Sequence, residues 1–255
     1  MEEGFKLWAN PSSPHGEGRK ARAALEDARA RIKASLGWTG ELIFTSGASE
    51  AAALALGRAK GGRRFVSAVE HDCVLQAAPD ADLLPVLADG QVDLAALVET
   101  IGTDHPVVAV QQVNSETGNR QVIEPIHERV SQAGGLLIAD CAQGAGKLAI
   151  PDCDMAIIAA HKFGGTIGIG ALLVRDFAML EPSGGHERGY RRGTENLPGA
   201  LGMAAALEAC SEYYLDEGVL HAFDAFDSEC RLAGGTLLSD RLSDPTPYIR
   251  AIAMP

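Results

Sequence analysis

Short apolar runs of about five residues alternate along the chain with stretches whose apolar positions recur every three or four residues. The runs at residues 41–45, 64–68, 83–87, 107–113, 136–140, 155–159 and 170–174 read as strands. Helical spacing fits residues 17–36, 48–58, 94–101, 125–133 and 198–214. Near-continuous apolar strands alternating with helices point to a mostly parallel sheet covered on both faces. The expected architecture is therefore a three-layer α/β/α domain with seven strands over residues 1–214, followed over 215–255 by the beginning of a smaller domain. Both ends are expected to be incomplete: the chain opens near a loop, Asn10-Pro-Ser-Ser-Pro14, and its last run, 248–254, resembles a strand whose sheet is absent.

Composition narrows the function classes. The 255 residues, 46% of them hydrophobic, suffice for a large buried core. Twenty-two Lys and Arg stand against 34 Asp and Glu, a formal charge of −12, which disfavours nucleic acid and anionic membrane as partners. A small anionic ligand would then need a local positive site. No basic-then-apolar leader and no apolar run near the roughly 20 residues of a membrane span occurs, so a cytoplasmic location is expected. Cys73, Cys141, Cys153, Cys210 and Cys230 show no C-x-x-C spacing, so reduced thiols are expected and no metal site.

Candidate chemistry gathers at strand ends. Lys162 follows the apolar run 155–160 and His161, and precedes Phe163-Gly-Gly165. An amine at a strand-to-glycine turn can form a Schiff base, and small flanking residues let a flat ligand approach the backbone. The bland reading of an isolated lysine is a solvated loop residue. Asp140 ends the run 136–140 and would face the cleft that parallel sheets form beyond their carboxyl ends, unless it merely closes its own turn. A carboxylate there can hold the ring nitrogen of pyridoxal phosphate protonated. Gln143 can reach a ring hydroxyl or be an ordinary loop amide, and His161 can orient a phosphate or cap its strand. Thr45-Ser-Gly-Ala-Ser-Glu50 joins a strand to an Ala-rich helix, either as a phosphate cradle with the Ser49 hydroxyl as a donor or as plain capping by Ser46 or Ser49. His71 is either an aromatic that stacks on a cofactor ring or a structural histidine.

Taken together, these segments resemble the cysteine desulfurases of the class V aminotransferase group, fold type I enzymes that use pyridoxal 5'-phosphate. The match runs from Asn10-Pro-Ser-Ser-Pro-His15 through Phe44-Thr-Ser-Gly-Ala-Ser-Glu50, Glu70-His71 and Asn114-Ser-Glu-Thr-Gly118 to Asp140-Cys-Ala-Gln143 and His161-Lys162. It continues through Gly168-Ile-Gly-Ala-Leu172 and Gly185-His-Glu-Arg-Gly-Tyr-Arg-Arg-Gly-Thr-Glu-Asn196. The order and spacing of so many segments make the resemblance specific. It implies that Lys162 carries the cofactor, Asp140 pairs with its ring nitrogen, His71 stacks on the ring and Asn114 and Gln143 contact it. Ala48, Ser49 and His161 would hold the phosphate, and Thr194 would reach the phosphate of a partner subunit in a homodimer. L-cysteine would be the substrate and an iron-sulfur scaffold or other sulfur acceptor the partner. Arg188, Arg191 and Arg192 would add positive charge near the phosphate, at least one of them as a solvated loop residue.

Departures from the family pattern are also legible. Ser115 stands where a second Asn is common, Ala159 where a serine often donates to the phosphate, and Thr166-Ile167 where Pro-Lys is usual. The family's opening strand segment is not matched, nor is the part of the small domain that carries the nucleophilic cysteine loop and the arginine for the substrate carboxylate. None of the five cysteines corresponds to that loop, which leaves open a related class V aminotransferase, a selenocysteine lyase, or a non-catalytic dimerisation or partner-binding domain.

Overall fold

The computed structural model describes residues 1–7, 9–210 and 215–255. Seven strands form one sheet: β1 (Glu41–Thr45), β2 (Arg64–Ser67), β3 (Asp82–Leu84), β4 (Val107–Gln111), β5 (Leu136–Asp140), β6 (Met155–Ala159) and β7 (Gly170–Val174). Their order is β1-β7-β6-β5-β4-β2-β3. Neighbours from β6 through β3 are parallel, and β7 runs antiparallel to both β6 and β1. All seven strands lie where the apolar runs predict them, because strands buried on both faces have no polar face to break the run. The run predicted at 83–87 is cut at Leu84, where Pro85 follows and can donate no ladder hydrogen bond.

Side-chain alternation assigns the two faces. Leu42, Phe44, Val108, Val110, Leu137, Ala139, Ala156 and Ile158 point into one core; Ile43, Val107, Ala109, Ile138, Met155 and Ile157 point into the other. The helices α1 (Glu2–Lys6), α2 (Gly16–Leu36), α3 (Ala48–Arg58), α4 (Asp72–Ala77), α5 (Leu94–Thr100), α6 (Ile123–Gln132), α7 (Leu197–Ala209) and α8 (Glu217–Leu232) follow in chain order. The first core is covered by α2, α5, α6 and α7, whose Leu25, Ile32, Leu97, Ile126 and Met203 are buried in it. The second is covered by α3 and α4 through Ala51, Ala55, Leu56 and Val74. This is the predicted three-layer α/β/α arrangement.

The predicted boundary at residues 214/215, and the end of the helix predicted at 198–214, lie outside the described residues. Within 215–255, α8 is followed by β8 (Thr236–Leu237) and β9 (Ile252–Ala253), which pair antiparallel. The final run therefore does have a strand partner, contrary to expectation: Leu237 lies opposite Ile252. This segment also touches the large unit, where Asp244 pairs with Arg120 and the Thr246 N–H donates to the Gly118 carbonyl at 2.8 Å. Among the described residues no helix is long and apolar enough to cross a membrane.

Candidate active site

Parallel strands gather their carboxyl ends on one edge of the sheet, and β7 contributes its amino end there because it runs the other way. Gln111 of β4 lies opposite Asp140 of β5, Asp140 lies opposite Ile157 of β6, and Gly170 of β7 lies opposite both Ala159 and Thr45. A cleft of about 480 Å³ opens above that edge. Ala48, Ser49, His71, Asp140, Gln143, His161 and Lys162 all line it, as do Gln111, Ser115 and Cys73.

Lys162 and His161 sit in a one-turn 3-10 helix, Ala160–Phe163, that follows β6 and ends at Gly164 with φ of 83°. Both side chains are exposed to the cleft. The amine whose charge is disfavoured is instead Lys147, partly buried and pushed down to about 8 by burial and by the Lys162 charge. Its ammonium donates to the Gln143 carbonyl at 3.1 Å and lies 4.9 Å from the centre of the Tyr248 ring. The Tyr248 hydroxyl donates to the same carbonyl at 3.2 Å, so a residue a hundred positions away fixes the loop that carries Gln143.

Asp140 is buried, and burial pushes its carboxyl above the usual range despite the Ala142 N–H bonded to Oδ1 at 2.9 Å and the nearby His71 and Lys162. Both sequence readings of this residue therefore hold at once: it lines the cleft and closes its own turn. His71 is likewise double. Its Nδ1 accepts from the Cys73 N–H at 3.1 Å as the N-cap of α4, while its ring lines the cleft.

At the amino end of α3 the N-cap is Gly47, and no side chain caps it. Helices α5, α7 and α8 are capped by Asp93, Asn196 and Asp216. The capping expected of Ser46 or Ser49 is absent; Glu50 turns back and accepts from the Ser46 N–H at 2.5 Å. Donors of the first turn of α3 thus face the cleft with no side-chain acceptor, the arrangement that receives an anion. Gly170 lets the Gly47 turn pack close at this helix start: a Cβ there would meet the Ile158 carbonyl at 2.6 Å and the Gly47 Cα at 2.8 Å.

Two predicted residues lie elsewhere. Asn114 does not line the cleft; its Oδ1 accepts from Glu116 N, Thr117 N and the Thr117 hydroxyl, and its Nδ2 donates to the Val69 carbonyl. The amide is spent on its own turn, and the neighbouring Ser115 faces the cleft. Thr194 is exposed and also outside the cleft wall. Its loop is anchored by Arg191, which pairs with Glu50 at 2.9 Å, and by Glu187, which pairs with buried Arg29 at 2.8 Å. Arg188 pairs with Glu41 at 2.8 Å, and Arg192 donates to the Ser183 carbonyl.

The profile of the class-V aminotransferases matches residues 2–222, which cover both faces of the sheet and the cleft. This chain belongs to the class-V aminotransferase family. A cysteine desulfurase of a Frankia strain is 36% identical over 83% of this chain and 58% of its own length. A NifS-like protein from Rickettsia africae superposes with a TM-score of 0.89 at 28% identity, covering all of this chain and 77% of that one. SspA in complex with cysteine superposes with a TM-score of 0.84 at 28% identity, covering all of this chain and 79% of that one. The chain spans 60% of the length of a cysteine desulfurase from Archaeoglobus fulgidus and 49% of that of one from Drosophila melanogaster.

Within this class-V aminotransferase cleft, sequence reasoning missed Gln111, Lys147 and Tyr248 as site residues, and saw Glu70 only as part of a motif. Gln111 carried a usable signal, a polar residue ending an apolar strand just as Asp140 does. Lys147 and Tyr248 carried none, because neither sits at a strand end.

Proposed function

We propose that this chain is the cofactor-binding portion of a pyridoxal-phosphate-dependent cysteine desulfurase, which takes sulfur from L-cysteine and passes it to an acceptor such as an iron-sulfur scaffold protein. The observation that carries the reading is the convergence, in one cleft, of an amine, a buried acid and an uncapped helix N-terminus: Lys162, Asp140 and the first turn of α3. The SspA structure bound to cysteine and the desulfurase relatives support the substrate assignment.

The residues present fit the cofactor. The first-turn N–H groups of α3, the Ser49 hydroxyl and His161 suit a phosphate. Asp140 suits a ring N–H, His71 a ring face, Gln143 a ring hydroxyl, and the Lys162 Nζ an aldehyde. When bound, the cofactor supplies that aldehyde and an electron-withdrawing ring. The protein supplies the rest. Asp140, raised by burial in the protein alone, would take a ring N–H as its cationic partner and would hold that proton in place. Lys162 stands in the cleft where its Nζ can take up and return a proton. The Lys147–Tyr248 pair holds the Gln143 loop at a fixed height over the sheet. A homodimer completed through Thr194 and a cytoplasmic location belong to the same proposal.

Incubation with pyridoxal phosphate, borohydride reduction and peptide mass analysis should place the label on Lys162; an unlabelled Lys162 refutes the cofactor assignment. For the complete desulfurase with L-cysteine, alanine together with a protein persulfide is the expected outcome, with sulfide released only when a thiol reductant is added. An oxo acid would mark transamination instead.

A further inference from the structure

Below the cleft, one carboxyl has no part in the reading above. Glu70 follows β2 and is buried, 7% exposed, against the end of β4. Its Oε1 accepts from the backbone N–H of Gln111 at 2.7 Å, and Gln111 is the residue paired across the ladder with Asp140. Its Oε2 is buried with no hydrogen-bond partner among the described residues. Two buried acids thus flank β4, Glu70 just past the end of β2 and Asp140 at the end of β5.

Their surroundings differ. Asp140 feels His71 and Lys162 and receives the Ala142 N–H. Around Glu70 stand Asp140 on β5, Gln111 on β4 and the Ser67 hydroxyl on β2, and no cation pairs with its carboxyl among the described residues. Of the titratable groups nearby, Cys73 on α4 is itself a weak acid held protonated, chiefly by burial and then by the charge of Asp140. One backbone N–H and a nearby hydroxyl are too few donors to offset the burial of a full carboxylate charge, whereas the neutral acid needs less. The charge of Asp140 opposes a second one on Glu70 and adds to the cost of burial.

We propose that Glu70 is a positioning residue that keeps its proton, so that the buried acid pair carries a single negative charge and that charge resides on Asp140. Burial and the Asp140 charge push Glu70 up to about 8, consistent with the geometry. The single charge keeps Asp140 matched to one cationic partner, and ionisation of Glu70 at alkaline pH adds a second negative charge behind it. The consequence for the ring nitrogen rests on the cofactor reading; the protonation of Glu70 belongs to the cofactor-free protein and can fail or stand separately.

The test is infrared difference spectroscopy of the cofactor-free chain between about pH 5 and about pH 10, well above the ordinary carboxyl range. A protonated-carboxyl C=O band that persists at neutral pH, titrates near pH 8 and is absent from Glu70→Gln is the expected result. Because that variant can misfold, the unmutated protein labelled with 13C at the glutamate carboxyls gives a second readout, in which one glutamate shifts only above neutral pH. With pyridoxal phosphate bound, absorbance should show an alkaline step in the unmutated protein and none in Glu70→Gln. If every glutamate titrates in the ordinary range, or the band survives in Glu70→Gln, the proposal is overturned whether or not Lys162 takes the borohydride label.

Discussion

Replacing Glu187 by Ala should destabilise the protein by about 3–5 kcal/mol, the cost of leaving a buried charge without its partner. The side chain of Glu187 is only 1% exposed, and its carboxylate accepts three bonds: from Arg29 at 2.8 and 3.1 Å and from the Phe44 N–H at 2.8 Å. Arg29 would keep the Leu42 carbonyl, the half-exposed Glu26 and the face of Phe44, none of which replaces a buried carboxylate. The Phe44 N–H, in the middle of β1, would add about 1–3 kcal/mol as an unsatisfied buried donor, overlapping with the first figure rather than summing with it. At a slope of about 3 kcal/mol per M, the urea midpoint should fall by roughly 1 M or more. Arg29→Met alone should be similarly costly, and the double variant should lose only the share of the Phe44 N–H, so the pair should couple by about 3 kcal/mol or more. The same carboxylate holds a left-handed turn, Glu187 at φ 47° and Arg188 at φ 56°, which a free chain would relax. Trypsin should therefore cut Glu187→Ala after Arg188, Arg191 or Arg192 faster than the unmutated protein. Additive single-variant losses, or unchanged cleavage, would refute the view of Glu187 as the anchor of this loop.

Three other perturbations probe the cleft. Ala159→Ser restores a hydroxyl to a fully buried wall position and should tighten pyridoxal phosphate binding by about 1.5 kcal/mol, roughly tenfold, in a fluorescence titration; an unchanged affinity would mean that the phosphate lies elsewhere. Gly170→Ala forces a Cβ against the Ile158 carbonyl and the Gly47 backbone, and should cost about 1–3 kcal/mol in thermal unfolding while weakening phosphate binding. Glu70 predicts a pH dependence: its carboxyl is raised from 4.5 to about 8 in the folded protein, so between those values the unfolded chain binds fewer protons and stability falls as pH rises. That contribution is fully present below about pH 4.5, lost above about pH 8, and amounts to a few kcal/mol at order of magnitude. Urea melts of the unmutated protein and Glu70→Gln should accordingly diverge in the variant's favour from acid to alkaline pH, and parallel curves would count against a raised Glu70.

What could be read from the chain follows from what makes each element. The strands announced themselves because burial on both faces demands unbroken apolar runs such as Val107–Gln111 and Met155–Ala159. Helix α4 did not, being six residues long and capped by a histidine, which is not a usual capping residue. Helix α8 was missed although Asp216 caps it, because its apolar positions Val219, Phe226 and Leu232 are exposed and form no buried stripe. In the cleft, Asp140, Lys162 and Ser49 were legible because parallel topology places strand ends at the ligand, so position in sequence stands in for position in space. Asn114 shows where that inference fails: the same motif position can spend its amide on its own turn and leave the next residue to face the cleft. Charge state was not legible at all. Glu70 and Asp140 are seventy residues apart, each plausible as a surface acid, and only the pairing of β2 with β4 and of β4 with β5 brings both to the same buried edge of the sheet, where a second ionisation becomes costly. An acidic chain can thus place an uncapped helix end and two buried acids side by side, because net charge is a sum over the surface while site charge is set by which carboxyls the sheet removes from water.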